Sequence, residues 1–298
     1  MLRRRAYVPM TDGTLESEKH LGHGHRRIRR FVYGRAPALI AASRGGLALY
    51  RSYGVPEERC FLSCLCIDNQ RYQASQAAPA RPWDFLFCGR LEPGKRPAFA
   101  LAVALQVARR LRRKTRLLFV GSGSLTGGLQ AQAAACASDV ETGFHGFASQ
   151  AELPHLYRSA KLFLFPTEAD VWGVVANEAC AAGLPVIVSP HAGVAGELVV
   201  DGRNGYVREL DVMAWADAAA PLLSDERRRR GHAERSLLMV EPYRFEAAAA
   251  GIIDACMAAT GVASSSARSH PPQSPNRNGS ADADEALTRL SGDRSGNP

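Results

Sequence analysis

No stretch of this sequence approaches the ~18 uninterrupted apolar residues that a membrane-spanning helix needs; the densest, Ala98 to Leu105, is far too short. Behind the charged start Met1-Leu2-Arg3-Arg4-Arg5 there is no apolar segment of the signal-peptide kind, so a cytoplasmic location is expected. Aromatic residues are few, 7% of the chain, and do not interleave with the basic positions as single-strand binding requires. Nucleic acid is therefore not an expected partner. The seven cysteines are an odd number, and the C-x3-C-x-C spacing of Cys60, Cys64 and Cys66 lacks the two-residue loop that presents thiolates to one zinc ion. Reduced, buried cysteines are expected. His20, His23 and His25 sit between glycines and arginines with no acidic or thiol neighbour, which predicts a flexible basic turn and no metal site. The Gly-rich run Val120-Gly121-Ser122-Gly123-Ser124 lacks the full Gly-x-Gly-x-x-Gly fingerprint, which argues against a nicotinamide oxidoreductase.

What is present is a globular composition, 46% hydrophobic, with a net charge of +8. That charge is uneven. Residues 1–35 hold nine Lys/Arg against three acids, a local +6, which leaves +2 for the remainder. The arm is readable as a solvated basic helix or as a contact for an anionic membrane surface or phosphorylated substrate.

Composition shifts set the expected boundaries. Residues 74–83 read as a linker, and 263–298, rich in Ser, Pro, Asn and Gly, as a disordered tail. From 84 to 240, apolar runs and helical patterns alternate. Strands are predicted at Asp84–Cys88, Arg116–Val120, Val140–Phe144, Lys161–Phe165 and Pro185–Val188. Between and after them come helices from Pro97, near Leu125, from Ser149, over Gly173–Ala182, and over Asp211–Leu223 and Asp225–Leu238; 241–262 carries a last helix. Such alternation implies a Rossmann-like, doubly wound parallel sheet. Residues 1–73 offer only two strands and two helices, too little to close such a layer alone, and read as the end of another domain.

Ligands of doubly wound sheets bind at the carboxyl ends of strands. After the first strand, Gly89 and Gly94 allow a tight loop; Arg90 offers a planar fork for phosphate oxygens and Lys95 a mobile point charge. After the Lys161–Phe165 strand, Glu168 and Asp170 precede a helix whose first N–H groups, Gly173 to Val175, can receive an anion. Glu178, a turn further on among apolar neighbours, can accept from a ribose diol.

In order, Gly-Arg-Leu-x-Pro-x-Lys at 89–95, Phe-Val-Gly-x-Gly at 119–123, Phe-x-Gly-Phe-x-x-x-x-Glu-Leu at 144–153, Pro-Thr at 166–167, Asp-Val-Trp-Gly-Val-Val-x-Asn-Glu-Ala at 170–179, Gly-Leu-Pro-Val-Ile at 183–187 and Gly-x-x-x-Glu-Leu-Val at 193–199 resemble the retaining glycosyltransferases of group 1 (family 4), which have the GT-B fold. The resemblance implies that 84–240 is a nucleotide-sugar donor domain and 1–73 a remnant of an acceptor-side domain, largely missing. It further implies hexosyl transfer from a UDP- or GDP-type donor to a glycan or lipid-linked acceptor, with retention and without metal or other cofactor. The catalytic set it implies is Asp170, Glu178, Arg90 and Lys95. Gly89, Gly121, Gly123, Phe147, Glu168, Gly173, Val174 and Val175 join Arg90, Lys95 and Glu178 in donor binding. The family's paired acids are Glu-x7-Glu, so Asp170 takes the first place with a shorter side chain, leaving Asp170 and Glu168 as alternatives for reaching the sugar. None of the three clustered histidines matches the family's acceptor-side histidine. The alternative is a catalytically incomplete nucleotide-sugar-binding module from a truncated enzyme. With a lipid-linked acceptor, the basic arm becomes a peripheral contact at the cytoplasmic face of the membrane.

Overall fold

The computed structural model describes residues 7–19, 21–73 and 81–262. The basic residues 1–6, His20, most of the expected linker and the expected disordered tail 263–298 lie outside the described residues. Two parallel sheets are present. The first has three strands, β1 (Met10–Thr11), β2 (Leu39–Ala41) and β3 (Cys60–Leu62), in that order. Around them lie α1 (Leu15–Glu18), α2 (His23–Arg35), α3 (Arg44–Ser52) and α4 (Asn69–Gln73). His23 and His25 open α2 behind Gly22, so these two form a helix start and not the expected flexible turn.

The second sheet comprises β4 (Trp83–Cys88), β5 (Thr115–Val120), β6 (Val140–Gly146), β7 (Ala160–Phe165), β8 (Val186–Val188) and β9 (Gly205–Val207). Its order, β6-β5-β4-β7-β8-β9, is that of a doubly wound Rossmann-like sheet, with the direction of winding reversing between β4 and β7. The connecting helices are α5 (Pro97–Leu111), α6 (Thr126–Ala135), α7 (Leu153–Arg158), α8 (Val174–Ala181), α9 (Val212–Ser224) and α10 (Glu226–Val240), followed by α11 (Phe245–Thr260). Because a strand alternates its side chains, one sequence run serves two cores. Phe85, Phe87, Leu117, Phe119, Leu162, Leu164 and Ile187 pack under α5, α6 and α9. Leu86, Leu118, Val120, Phe163, Phe165, Val186 and Val188 pack under α7, α8 and α10. Buried Asp84 in β4 accepts from Arg113 and Lys161 at 2.7 and 2.9 Å; burial alone would raise its pKa, but these cations hold it below the usual carboxylate range.

Some boundaries differ from expectation. Trp83 already belongs to β4, and half-buried Arg81 donates to the carbonyls of Ala160 and Ala182, so the end of the expected linker is part of the domain. The helix expected from Ser149 begins at Leu153; Ser149 and Glu152 form a turn before it, and Pro154 occupies its first positions. The two sheets are tied together. The Glu197 carboxylate accepts the Arg44 amide, 3.1 Å from each oxygen, at the amino end of α3, and Asn177 donates to the Leu65 carbonyl at 3.1 Å. Helix α11 returns to the first sheet, where Ala255 packs with Ala38 and Ile40.

Candidate donor site

The loops leaving β4 and β7 lead to α5 and α8 on opposite faces of the sheet, and most of the candidate residues lie on these two loops. The first loop is seated on the turn after β5. The Gly89 and Leu91 amides donate to the carbonyls of Val120 and Ser122 at 2.9 and 3.0 Å, and Leu125 returns a bond to the Leu91 carbonyl at 3.0 Å. A Cβ on Gly121, at φ +127°, would stand 2.0 Å from the Gly89 carbonyl oxygen; one on Gly123 would stand 2.4 Å from that of Leu91. Both glycines therefore act as the floor under the Arg90 loop. Glu92 fastens the same contact through the Ser124 amide and hydroxyl at 2.8 and 2.6 Å. Arg90 itself is exposed at the loop's outer turn.

The second loop meets the first. The Glu168 amide donates to the Gly94 carbonyl at 2.8 Å. Lys95 Nζ lies 2.7 Å from Asp170 Oδ2 and 3.3 Å from both Thr167 Oγ1 and the Ala169 carbonyl. Glu168 instead pairs with Arg96 at 3.2 Å, both half exposed. Of the two candidate acids, Asp170 is thus the one held beside the lysine. Arg96 keeps a left-handed φ of +55° without being glycine, a backbone strain of the sort that clusters at functional sites.

Helix α8 begins at Gly173, φ +105°, where a Cβ would fall 2.4 Å from Phe165 Cε1. No side chain caps this helix, so its first amides, at Val174 and Val175, stay open to an anion. Within α8, Asn177 is buried and accepts from the Trp172 indole at 2.8 Å. Glu178, 7% exposed, accepts Tyr72 Oη at 2.9 Å on Oε1 and Tyr157 Oη at 2.7 Å on Oε2. Burial raises its pKa, and the two phenols, Tyr157 before Tyr72, pull it part of the way back. The Tyr157 hydroxyl also lies against the thiol of Cys88, which burial pushes up to about 12. Cys88 is the last residue of β4, so this buried cluster extends to the strand end that launches the Gly89 loop.

The structure therefore brings Lys95, Asp170 and, through the Phe165 ring, the start of α8 together, with Glu168 paired to Arg96 beside them and Gly89 at the base of the first loop. Phe147, just beyond β6, is 85% exposed. Sequence reasoning missed Thr167, Arg96, Tyr72 and Tyr157. Thr167 stood inside the quoted Pro-Thr pair, whereas Tyr157 lay within the helix expected from Ser149 with nothing local to mark it. Among the described residues, no group of three or more His, Cys, Asp or Glu side chains could hold a metal ion. Among them, too, no helix is long and apolar enough to cross a membrane.

This geometry defines a Rossmann-like α/β protein of the GT-B glycosyltransferase type. Residues 68–237, more than half of the chain, match the family described as glycosyl transferases group 1, and the protein belongs to that family. The D-inositol 3-phosphate glycosyltransferase of Nocardia farcinica (strain IFM 10152) is 30% identical over 227 residues, covering 71% of this chain and 50% of that protein. Glycogen synthase of Mycobacterium tuberculosis (strain ATCC 25618 / H37Rv) is 34% identical over 176 residues, 58% of this chain and 42% of that one. The chain spans about half the length of the curated relatives it matches. The crystal structure of Anabaena Alr3699/HepE in complex with UDP superposes with a TM-score of 0.70 at 19% identity, covering 85% of this chain and 72% of that one. WaaG, a glycosyltransferase involved in lipopolysaccharide biosynthesis, gives 0.60 at 20% identity over 82% and 74%. At those identities the likeness is one of fold.

Proposed function

We propose that this chain carries the donor side of a retaining, family 4 glycosyltransferase that uses a UDP- or GDP-type sugar donor and a glycan or lipid-linked acceptor. The observation that carries this reading is the meeting of Lys95, Asp170 and the uncapped start of α8 where the sheet reverses its winding. In this reading Lys95 and Arg90 neutralise the diphosphate as it leaves, and the α8 amides receive its distal phosphate. Glu178 takes the ribose hydroxyls, and Asp170 lies against the sugar. Transfer then proceeds on the face the diphosphate vacates, with positioning and charge stabilisation supplied by the protein and no metal.

Calorimetric titration with UDP and GDP tests the reading. One of them is expected to bind, and Glu178→Gln is expected to weaken it about tenfold by removing a charged acceptor. Wild-type-like affinity in that variant would remove the ribose assignment. A second reading, a nucleotide-sugar-binding module without turnover, is favoured by the first sheet, which has three strands among the described residues. The two readings part on a transfer assay, since both bind nucleotide.

We further propose that the acceptor side rests on an anionic membrane through α2. Ile28 and Phe31 are 64% and 59% exposed on that helix beside Arg27, Arg30 and Arg35, and the Arg35 guanidinium sits 3.9 Å from the Phe31 ring centre. Co-sedimentation with phosphatidylglycerol vesicles but not with phosphatidylcholine vesicles is expected, weakening as salt rises. Equal recovery with both, or with neither, removes the proposal.

A further inference from the structure

Glu178 is a buried carboxylate with no ion pair among the described residues. A charge so placed survives only if its oxygens are hydrogen-bonded. Here each oxygen receives one phenol, Tyr72 on one side and Tyr157 on the other, and the two rings meet edge to face at 5.8 Å. A carboxylate oxygen has two acceptor positions, so one on each oxygen has no donor among the described residues after the phenols are seated. Two such positions held at fixed spacing suit two vicinal hydroxyls.

We propose that Tyr72 and Tyr157 are positioning residues that keep Glu178 ionised and aimed, so that it can accept both ribose hydroxyls of the nucleotide. The inference rests on the donor-site reading above and adds to it the device that makes the acid usable. Tyr157 comes from α7 inside the donor domain. Tyr72 comes from α4, the segment that links the first sheet to the second, so the quality of the nucleotide grip depends on that segment being docked. The groups facing Glu178 are the two tyrosines and, through Tyr157, the Cys88 thiol from β4. All of these are neutral at pH 7, so within this cluster the acid-side loss of binding belongs to the carboxyl. Since burial raises its pKa, that loss sets in above the ordinary glutamate range, and deleting a phenol raises the midpoint further.

The test titrates the full chain with UDP or GDP, whichever binds, between pH 5 and 8, using wild type, Tyr72→Phe, Tyr157→Phe and Glu178→Gln. Glu178→Gln supplies the profile due to the nucleotide's own phosphates. Each Phe variant is expected to raise Kd about fivefold to tenfold at pH 7 and to move the acid limb up by about 1 pH. Thermal melting checks the fold, and carbon-13 NMR of labelled glutamate follows the Glu178 carboxyl without ligand, where the same upward move is expected. If wild type binds, Glu178→Gln weakens binding, and both Phe variants keep the wild-type Kd and pH profile, the positioning role is overturned while the donor site stands. A tighter Kd in Tyr72→Phe overturns it differently: the hydroxyl would then be a plug competing with ribose. If wild type binds neither nucleotide, the donor reading falls and this proposal with it.

Discussion

Lys95→Ala is expected to weaken UDP or GDP binding about a hundredfold, and Arg90→Ala about tenfold, measured by calorimetry at fixed ionic strength. The difference follows from their surroundings. Lys95 is 22% exposed and 2.7 Å from Asp170, itself 26% exposed. In the proposed site, removing the ammonium deletes a phosphate contact and also leaves the Asp170 carboxylate without its ion pair where the pyrophosphate would sit, so repulsion adds to the loss. Arg90 is exposed, and water and salt screen much of what its guanidinium contributes. Raising the salt should accordingly shrink the Arg90 effect far more than the Lys95 effect. A double variant that binds like wild type would end the diphosphate assignment.

Gly121→Ala is expected to abolish measurable nucleotide binding, a loss of at least about a hundredfold, by displacing the loop that it supports. The new methyl would have to stand 2.0 Å from the Gly89 carbonyl oxygen, and its own backbone is at φ +127°. Backbone meets backbone there, so no side-chain rotation relieves the clash. The Gly89–Lys95 loop must lift from the β5 turn, breaking the bonds from Gly89 and Leu91 and displacing Arg90 and Lys95 together. Melting should fall by several degrees, because the edge of one core opens as well. A variant that melts and binds as wild type does would show that Gly121 is no floor for the loop.

Much of the second sheet and its helices is legible in the sequence. Runs such as Asp84–Cys88 and Lys161–Phe165 are apolar on both faces because each strand is covered twice, and glycine or proline ends them sharply. The strand ends then point to their own loops, which is why Lys95, Asp170 and Gly173 could be named as candidates from spacing. The short pieces escaped. Met10–Thr11 and Gly205–Val207 are too brief to show any period.

The order of the motifs and the chemistry of their residue types are properties of the chain, because apolar alternation and turn residues act over a few neighbours. Which acid stands by Lys95, and what surrounds the other, is decided only in three dimensions. Asp170 and Glu168 are two residues apart, and nothing local tells them apart until Arg96 takes one and Lys95 the other. Tyr72 lies 106 positions from Glu178, yet its hydroxyl is 2.9 Å from the carboxylate. Contacts of that kind come from the closing of two cores against each other, and burial then sets the charge state that no pattern of letters carries.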